Sequence, residues 1–312
     1  MTKLAELQKF IEVEKQPSPG LVQRRVTVHP EGGQPFTRRQ WVRPDEIEGE
    51  NKRSNEEPEK PENFNSVLIR EREGNINDYE GISAKDLDDS QRLISDSKVI
   101  KSSSLGGGVN VTEIIELENG KKAVFKPLRG EVTGETSSIK GPFYLKEVAA
   151  YKVSKILGFD YVPSTTVKYI ENNVGSAQEF VENAKRLNLA NLHPEIIEDC
   201  ALFDQVIGNI DRHGGNALSK DGKPVLIDHG YSFPDDPNIK PWSIFVKQIT
   251  NHESIKLSDK HIDLLTNFYK NKKEHAQKLR PYLRKREIAG IFVRINEMLE
   301  NRSYFLTRKE NE

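Results

Sequence analysis

One cysteine, two methionines and two tryptophans among 312 residues, with a formal net charge of −1, exclude several kinds of protein before any motif is read. A lone Cys200 cannot close an intramolecular disulfide, and its setting among Ile196, Ile197, Ala201 and Leu202 reads as packing. No stretch approaches the ~20 apolar residues of a membrane-spanning helix, and MTKLAELQKF lacks the apolar core of a secretory signal. The balanced charge gives no overall field for nucleic acid or an anionic membrane, and no local basic run is dense enough to replace it. A soluble, cytoplasmic chain is expected, without a transmembrane segment or a nucleic-acid partner. Hydrophobic residues at 35% against 30% charged residues are few for a globular protein, so part of the chain is expected to lie outside any core.

That part is the first third. Leu4, Leu7, Phe10 and Ile11 mark a short amphipathic helix ended at Pro17 to Gly20. Val22, Val26 and Val28, then a turn-rich Pro30 to Gln34, then Phe36, Trp41 and Val42 predict a β-hairpin. These make an N-terminal unit over 1–43. Residues 44–63 are charge, proline and asparagine, a composition unable to offset its ordering entropy by burial, and read as a disordered linker. Residues 64–95 show no sustained period and form a connecting region without an assigned fold. From 96 onward the texture is that of an α+β domain. Val109 to Leu117, the turn Glu118-Asn119-Gly120 and Lys121 to Lys126 predict a hairpin. A helix is expected over 142–157 with its stop at Gly158, strands at Thr165 to Ile170 and Ser176 to Val181, and a helix over 194–208. Val225 to Ile227 is a short buried strand, and Ile288, Ile291, Phe292, Ile295, Met298 and Leu299 stripe a final helix.

The chemistry concentrates in FDQVIGNIDRHGGNALSKDGKPVLIDHGYSFP, ending at Pro234. Asp211 and Asn216 have the D-x-x-x-x-N spacing of a phosphoryl-transfer catalytic loop, and a strand then presents Asp228. Such chemistry needs a carboxylate beside the nucleophile and hard oxygen ligands for magnesium, which Asn216 and Asp228 supply. Any one of Asp211, Gly214, Gly215 and Asn216 also suits a plain turn; the downstream IDHG weighs against that reading. His213 adjoins the base, where it either assists the chemistry or serves as a surface residue. Upstream, Ser102 to Gly108 reads as a phosphate-covering loop in which Gly106, Gly107 and Gly108 let backbone amides approach anionic oxygens, with a flexible linker as the alternative. It precedes the hairpin whose return strand ends in Lys126, and a buried lysine needs an acid; Glu147 on the next helix is placed to supply it.

In this setting the chain resembles the phosphatidylinositol 3- and 4-kinase superfamily, nearest the type II phosphatidylinositol 4-kinases and related plant kinases with ubiquitin-like domains. VFKP at 124–127, LGFDYVPST at 157–165, GSAQEFV at 175–181, NIDRHGGN at 209–216 and IDHGYSFP at 227–234 follow the family order. The resemblance implies a two-lobed kinase-like fold with a β-rich N-lobe over 96–182, a helical C-lobe over 183–305 and a tail at 306–312. It also implies ATP and Mg²⁺ as cofactors. Lys126 would hold the α/β phosphates and Glu147 would pair with it. Gln178, Glu179, Phe180 and Val181 would line the adenine edge, Asp211 would act as acid/base, and Asn216 and Asp228 would be metal ligands.

The acceptor is read from departures. Nothing corresponds to the cysteine-rich acylated stretch of the type II lipid kinases, and after Asp228 the chain carries Asp235 and Asp236 with Lys240 the nearby cation. Two acids oppose an anionic head group. A Ser/Thr-type protein substrate is therefore expected, with autophosphorylation at Ser102 to Ser104 in view, and a phosphoinositide as the alternative. A nucleotide-binding pseudokinase and a nucleotidyl transferase use the same residues.

Overall fold

The computed structural model describes residues 82, 84–105, 110–131, 139–171, 173–250 and 256–305, with the backbone of 22–28 and 36–42. The helix expected near the N-terminus, the linker 44–63, most of 64–95, Gly106 to Gly108 and the tail 306–312 lie outside the described residues. Contacts divide the chain into Met1–Lys60 and Pro61–Glu312. In the first unit, β1 (Val22–Val28) pairs antiparallel with β2 (Phe36–Val42), from Val22 opposite Val42 to Val28 opposite Phe36.

In the second unit, helix α1 (Asp89–Ser95) is started by a capping box in which Asp88 and Gln91 satisfy each other's backbone N–H groups. A five-stranded antiparallel sheet follows in the order β3 (Val99–Ser104), β4 (Glu113–Leu117), β5 (Lys122–Pro127), β7 (Asn173–Glu179), β6 (Thr165–Ile170). Along β5 burial alternates. Ala123 and Phe125 join Ile115, Leu117, Ala177 and Ile94 of α1 in one apolar cluster, and Lys126, out of phase, projects from the other face. Through Ile94, α1 thus packs with this sheet although it precedes residue 96. Gly175 faces the backbone of Lys126 so closely that a Cβ would lie 2.3 Å from its carbonyl oxygen, which reserves the position for glycine.

Helix α2 (Phe143–Ile156) packs on β6 and β7 and is buried along most of its length, which joins it to the main core. The C-lobe contains α3 (Pro194–Ile207), a three-stranded sheet ordered β10 (Lys223–Leu226), β9 (Ala217–Lys220), β8 (Lys185–Arg186), and the helices α4 (Ile244–Thr250), α5 (Asp259–Lys270), α6 (Lys272–Leu279) and α7 (Lys285–Asn301). Cys200 is fully buried in α3, as its apolar neighbours require. Two sequence expectations change. Ser102 to Ser104 are strand residues of β3, paired with Glu113 to Ile115, and so are not part of a phosphate-covering loop. Three helices between 244 and 279 had no sequence assignment; in α5 the buried positions His261, Leu265 and Phe268 lie one turn apart and carry the signal.

Candidate active site

A two-residue hairpin sets the geometry. Asp221 and Gly222 have φ of 51° and 79°, the paired positive values of a tight Asp-Gly turn, and they align Ala217 of β9 with Leu226 of β10. One residue farther out, the Ile227 N–H donates to the Asn216 carbonyl at 3.2 Å, so Asp228 emerges beside Asn216. Both metal-ligand candidates are thus fixed by a local turn. Asp228 then takes φ 58°, a left-handed conformation that is uncommon outside glycine, that aspartate tolerates better than most residues, and that concentrates at functional positions.

Lys126 Nζ donates to Glu147 Oε1 at 2.6 Å and to Asp228 Oδ1 at 3.0 Å. Glu147 Oε2 accepts the His229 N–H at 2.9 Å, so this one buried carboxylate grips both the N-lobe strand and the segment that carries Asp228. Burial alone would lower the Lys126 pKa, but the Glu147 and Asp228 charges overcome it and hold the ammonium well above its ordinary value. Burial would likewise raise Glu147, and Lys126 overrides it downward. The pair is ionised under all ordinary conditions.

The loop from Asn209 to Asn216 is held from beneath by residues that the sequence did not single out. Arg212 is fully buried; its Nε donates to Asp204 Oδ1 at 3.1 Å and its Nη1 to the carbonyls of Asn216 and Ile227, both at 2.6 Å. Ser243 Oγ donates to Asp204 Oδ2 at 2.7 Å. Asn209 Oδ1 accepts the Asp211 N–H at 2.8 Å, and Asn216 Nδ2 donates to the Asp211 carbonyl at 2.9 Å. Arg212 therefore ties the loop to the strand end at Ile227, the residue before Asp228. At the C-terminal end of α3, Arg294 Nε and Nη2 donate to the Val206 carbonyl, and burial lowers this guanidinium to about 9. His229 fills a fully buried position edge-on to Phe203, and burial lowers its pKa.

Lys126, Glu147, Asp211 and Asp228 line one cavity of 190 Å³, closed by Val111, Tyr231 and Glu131 among others. Glu131 was missed from sequence. Its carboxylate accepts the N–H groups of Phe143 and Tyr144 at 2.8 and 2.6 Å, capping α2 from a distance, while burial pushes it up to about 7. Burial also raises Asp211; His213 pulls it down and Asp228 adds to the rise. His213 is exposed, its Nδ1 accepting the Gly215 N–H at 3.0 Å, and it does not line the cavity. Gln178 to Val181 stand where β7 leaves the sheet: Gln178 turns its amide to Thr165 Oγ1, Glu179 pairs with Lys121, and the Phe180 N–H donates to the Lys122 carbonyl. Lys240, the cation noted after Asp228, pairs with Glu297 at 3.3 Å, whereas Arg186 reaches over Gly214 of the catalytic loop.

The donors suit a magnesium–nucleotide complex. Asn216 Nδ2 is engaged with the loop, which leaves the hard Oδ1 as its ligating atom, and Asp228 offers a second carboxylate oxygen beyond the one held by Lys126. Among the described residues no group of three or more His, Cys, Asp or Glu could hold a metal by itself.

An antiparallel lobe and a helical lobe sharing a lysine–carboxylate pair across a cleft place the chain among proteins of the kinase fold. It belongs to the phosphatidylinositol 3- and 4-kinase family, whose sequence model matches residues 119–286, more than half of the 312. No curated protein matches it in sequence. The fold is shared with the crystal structure of the Golgi casein kinase at 15% identity and TM-score 0.50, over 67% of this chain and 74% of that one. It is also shared with hydra Fam20, solved with sugar, at 15% identity and TM-score 0.50, over 68% of this chain and 87% of that one. The Golgi casein kinase has also been solved with Mn and ADP bound. No described helix is long and apolar enough to cross a membrane.

Proposed function

We propose that the protein is an ATP- and Mg²⁺-dependent phosphotransferase acting on Ser/Thr hydroxyls of protein substrates. The observation that carries this reading is the junction of Lys126, Glu147 and Asp228 beside Asp211: a 2.6 Å pair within the N-lobe and a 3.0 Å contact from Lys126 across to Asp228. Bound magnesium would neutralise the developing charge of the transferring group. Lys126, kept charged by its two carboxylates, binds the nucleotide phosphates. Glu147 fixes it in place. Asn216 and Asp228 would hold the metal, and Asp211 orients the acceptor hydroxyl and takes its proton, helped by a pKa held above the ordinary carboxylate value. The adenine would meet main-chain groups of 178–181, since the Gln178 and Glu179 side chains are turned to Thr165 and Lys121.

Support for a protein acceptor lies beyond Asp228, where Asp236 is exposed and the charge of Lys240 is matched by Glu297. Arg186 beside Gly214 and the family itself favour a second reading, phosphatidylinositol as acceptor. Labelled ATP offered to the protein alone, to a cell lysate and to phosphatidylinositol vesicles separates the two. Label is expected in protein; label confined to vesicle lipid would overturn the first reading in favour of the second.

A further inference from the structure

Helices α6 and α7 present one face each to a shared groove of 660 Å³. Lys272, Lys273, Ala276 and Arg280 recur at helical spacing along one wall, and Lys285, Ile288, Ala289 and Phe292 along the other. The two helices are joined by a short turn, so Arg280 and Lys285 share one end of the groove while Lys272 and Lys273 occupy the opposite end. The apolar residues lie between. This segment is the most basic of the chain, with eight Lys and Arg against two acids from Lys270 to Glu287. It does not stand out in the sequence because buried His275, Leu279, Tyr282 and Leu283 interrupt the run.

Its two acids are spent elsewhere. Glu274 pairs with Lys278 at 2.7 Å, and neither lines the groove. Glu287 is buried against Lys146 and Arg284. Lys273 and Lys285 are exposed and have no ion pair among the described residues. Lys272 lies over the Tyr269 ring, 4.5 Å from its centroid. None of the groove residues lines the catalytic cavity.

We propose that this groove docks an extended peptide segment of a partner protein, with an apolar residue flanked on both sides by carboxylates. The length of α6 separates the two basic ends by about 12 Å, which matches roughly four residues of extended chain. The recessed floor selects the class of partner. Ile288 is 5% exposed, and Phe292 is packed against Phe268 and Tyr269, so neither ring nor alkyl group protrudes as insertion into a bilayer or base stacking would require. A side chain entering from a peptide can reach them. The cations then contribute salt-sensitive attraction and register.

The test is fluorescence anisotropy on the full chain with a labelled peptide carrying Glu-Glu, then Leu-Phe, then Glu-Glu. The comparators are polyglutamate of equal length, phosphatidylserine vesicles and a single-stranded oligonucleotide. The peptide is expected to bind more tightly than polyglutamate and to weaken as salt rises. Lys273→Glu/Lys285→Glu and, separately, Ala289→Glu should weaken it about tenfold or more. All three positions are exposed, so melting temperature and ATP turnover should stay at the wild-type values in both variants. Equal peptide binding by the wild type and both variants would overturn the proposal, as would binding of vesicles or oligonucleotide in preference to the peptide.

Discussion

Two neighbouring residues of α2 form opposite kinds of ion pair. Lys146 turns into the C-lobe, where its Nζ lies 3.0 Å from Glu287 Oε1 and donates to the Ser232 carbonyl at 3.1 Å; both side chains of the pair are 2% exposed. Glu147 turns toward the cleft to meet Lys126, whose side chain is 25% exposed, with Asp228 beyond it at 49%. The sealed pair fixes α2 and the segment after Asp228 to α7. The open pair leaves its lysine and outer aspartate available to a ligand. One helical turn thus holds both the anchor to α7 and the cleft-facing pair, and the difference lies in solvent access rather than residue type.

Breaking the sealed pair should have the largest effect on folding. Glu287→Ala strands the Lys146 ammonium in the core and is expected to cost about 3–5 kcal/mol in chemical denaturation, because an uncompensated buried charge retains its desolvation penalty. Replacing both with Met should recover part of the loss, since an apolar pair removes the stranded charge, but not the contribution of Glu287 as the cap of α7 and partner of Arg284. A double variant as unstable as the single would show that the site cannot repack. The open pair should respond in reverse. Asp228→Ala is expected to abolish metal-dependent turnover while shifting unfolding by no more than about 1 kcal/mol, as befits a half-exposed partner. A collapse of stability there would erase the contrast.

A smaller effect concerns protonation. Burial raises the pKa of Asp211, and the base must be ionised, so turnover should fall with acid at a higher pH than an ordinary aspartate near about 4 would give. The linked stability has the opposite sign: a raised carboxylate favours the folded state when protonated, and that contribution is lost as pH rises through the raised value. Asp211→Asn should consequently melt no lower than wild type at neutral pH. The smallest effect is expected at exposed His213, where His213→Ala should change rate modestly and leave the melting temperature near wild type; a large melting shift would make its contact with Gly215 structural.

The candidate site was legible as a cluster because its placement is local. The D-x-x-x-x-N loop, a tight hairpin and Asp228 lie within one short stretch, and Lys126 follows an Asn-Gly turn. Strand alternation and helix stripes gave the lobes for the same reason. The supports were not legible. Arg212 with Asp204 and Ser243, Arg294 with Val206, and Lys146 with Glu287 are long-range contacts, and no period distinguishes a buried charged residue from a solvated one. Adjacent positions on a helix require only that Lys146 point away from Glu147; its partner, Glu287, lies on α7. Glu131 capping α2 across an intervening stretch was likewise hidden, because caps are ordinarily sought next to the helix they serve.

The central claim is tested most directly by transfer of label from γ-labelled ATP in the presence of Mg²⁺, measured side by side for the wild type, Asp211→Asn and Asp228→Ala, with melting temperatures recorded. The account predicts transfer by the wild type and a loss of about 10²–10⁴-fold in Asp211→Asn, the range for a removed acid/base, with folding intact. Asp228→Ala should fall to background. Nucleotide binding without transfer by the wild type, or unimpaired transfer by either variant, would contradict it.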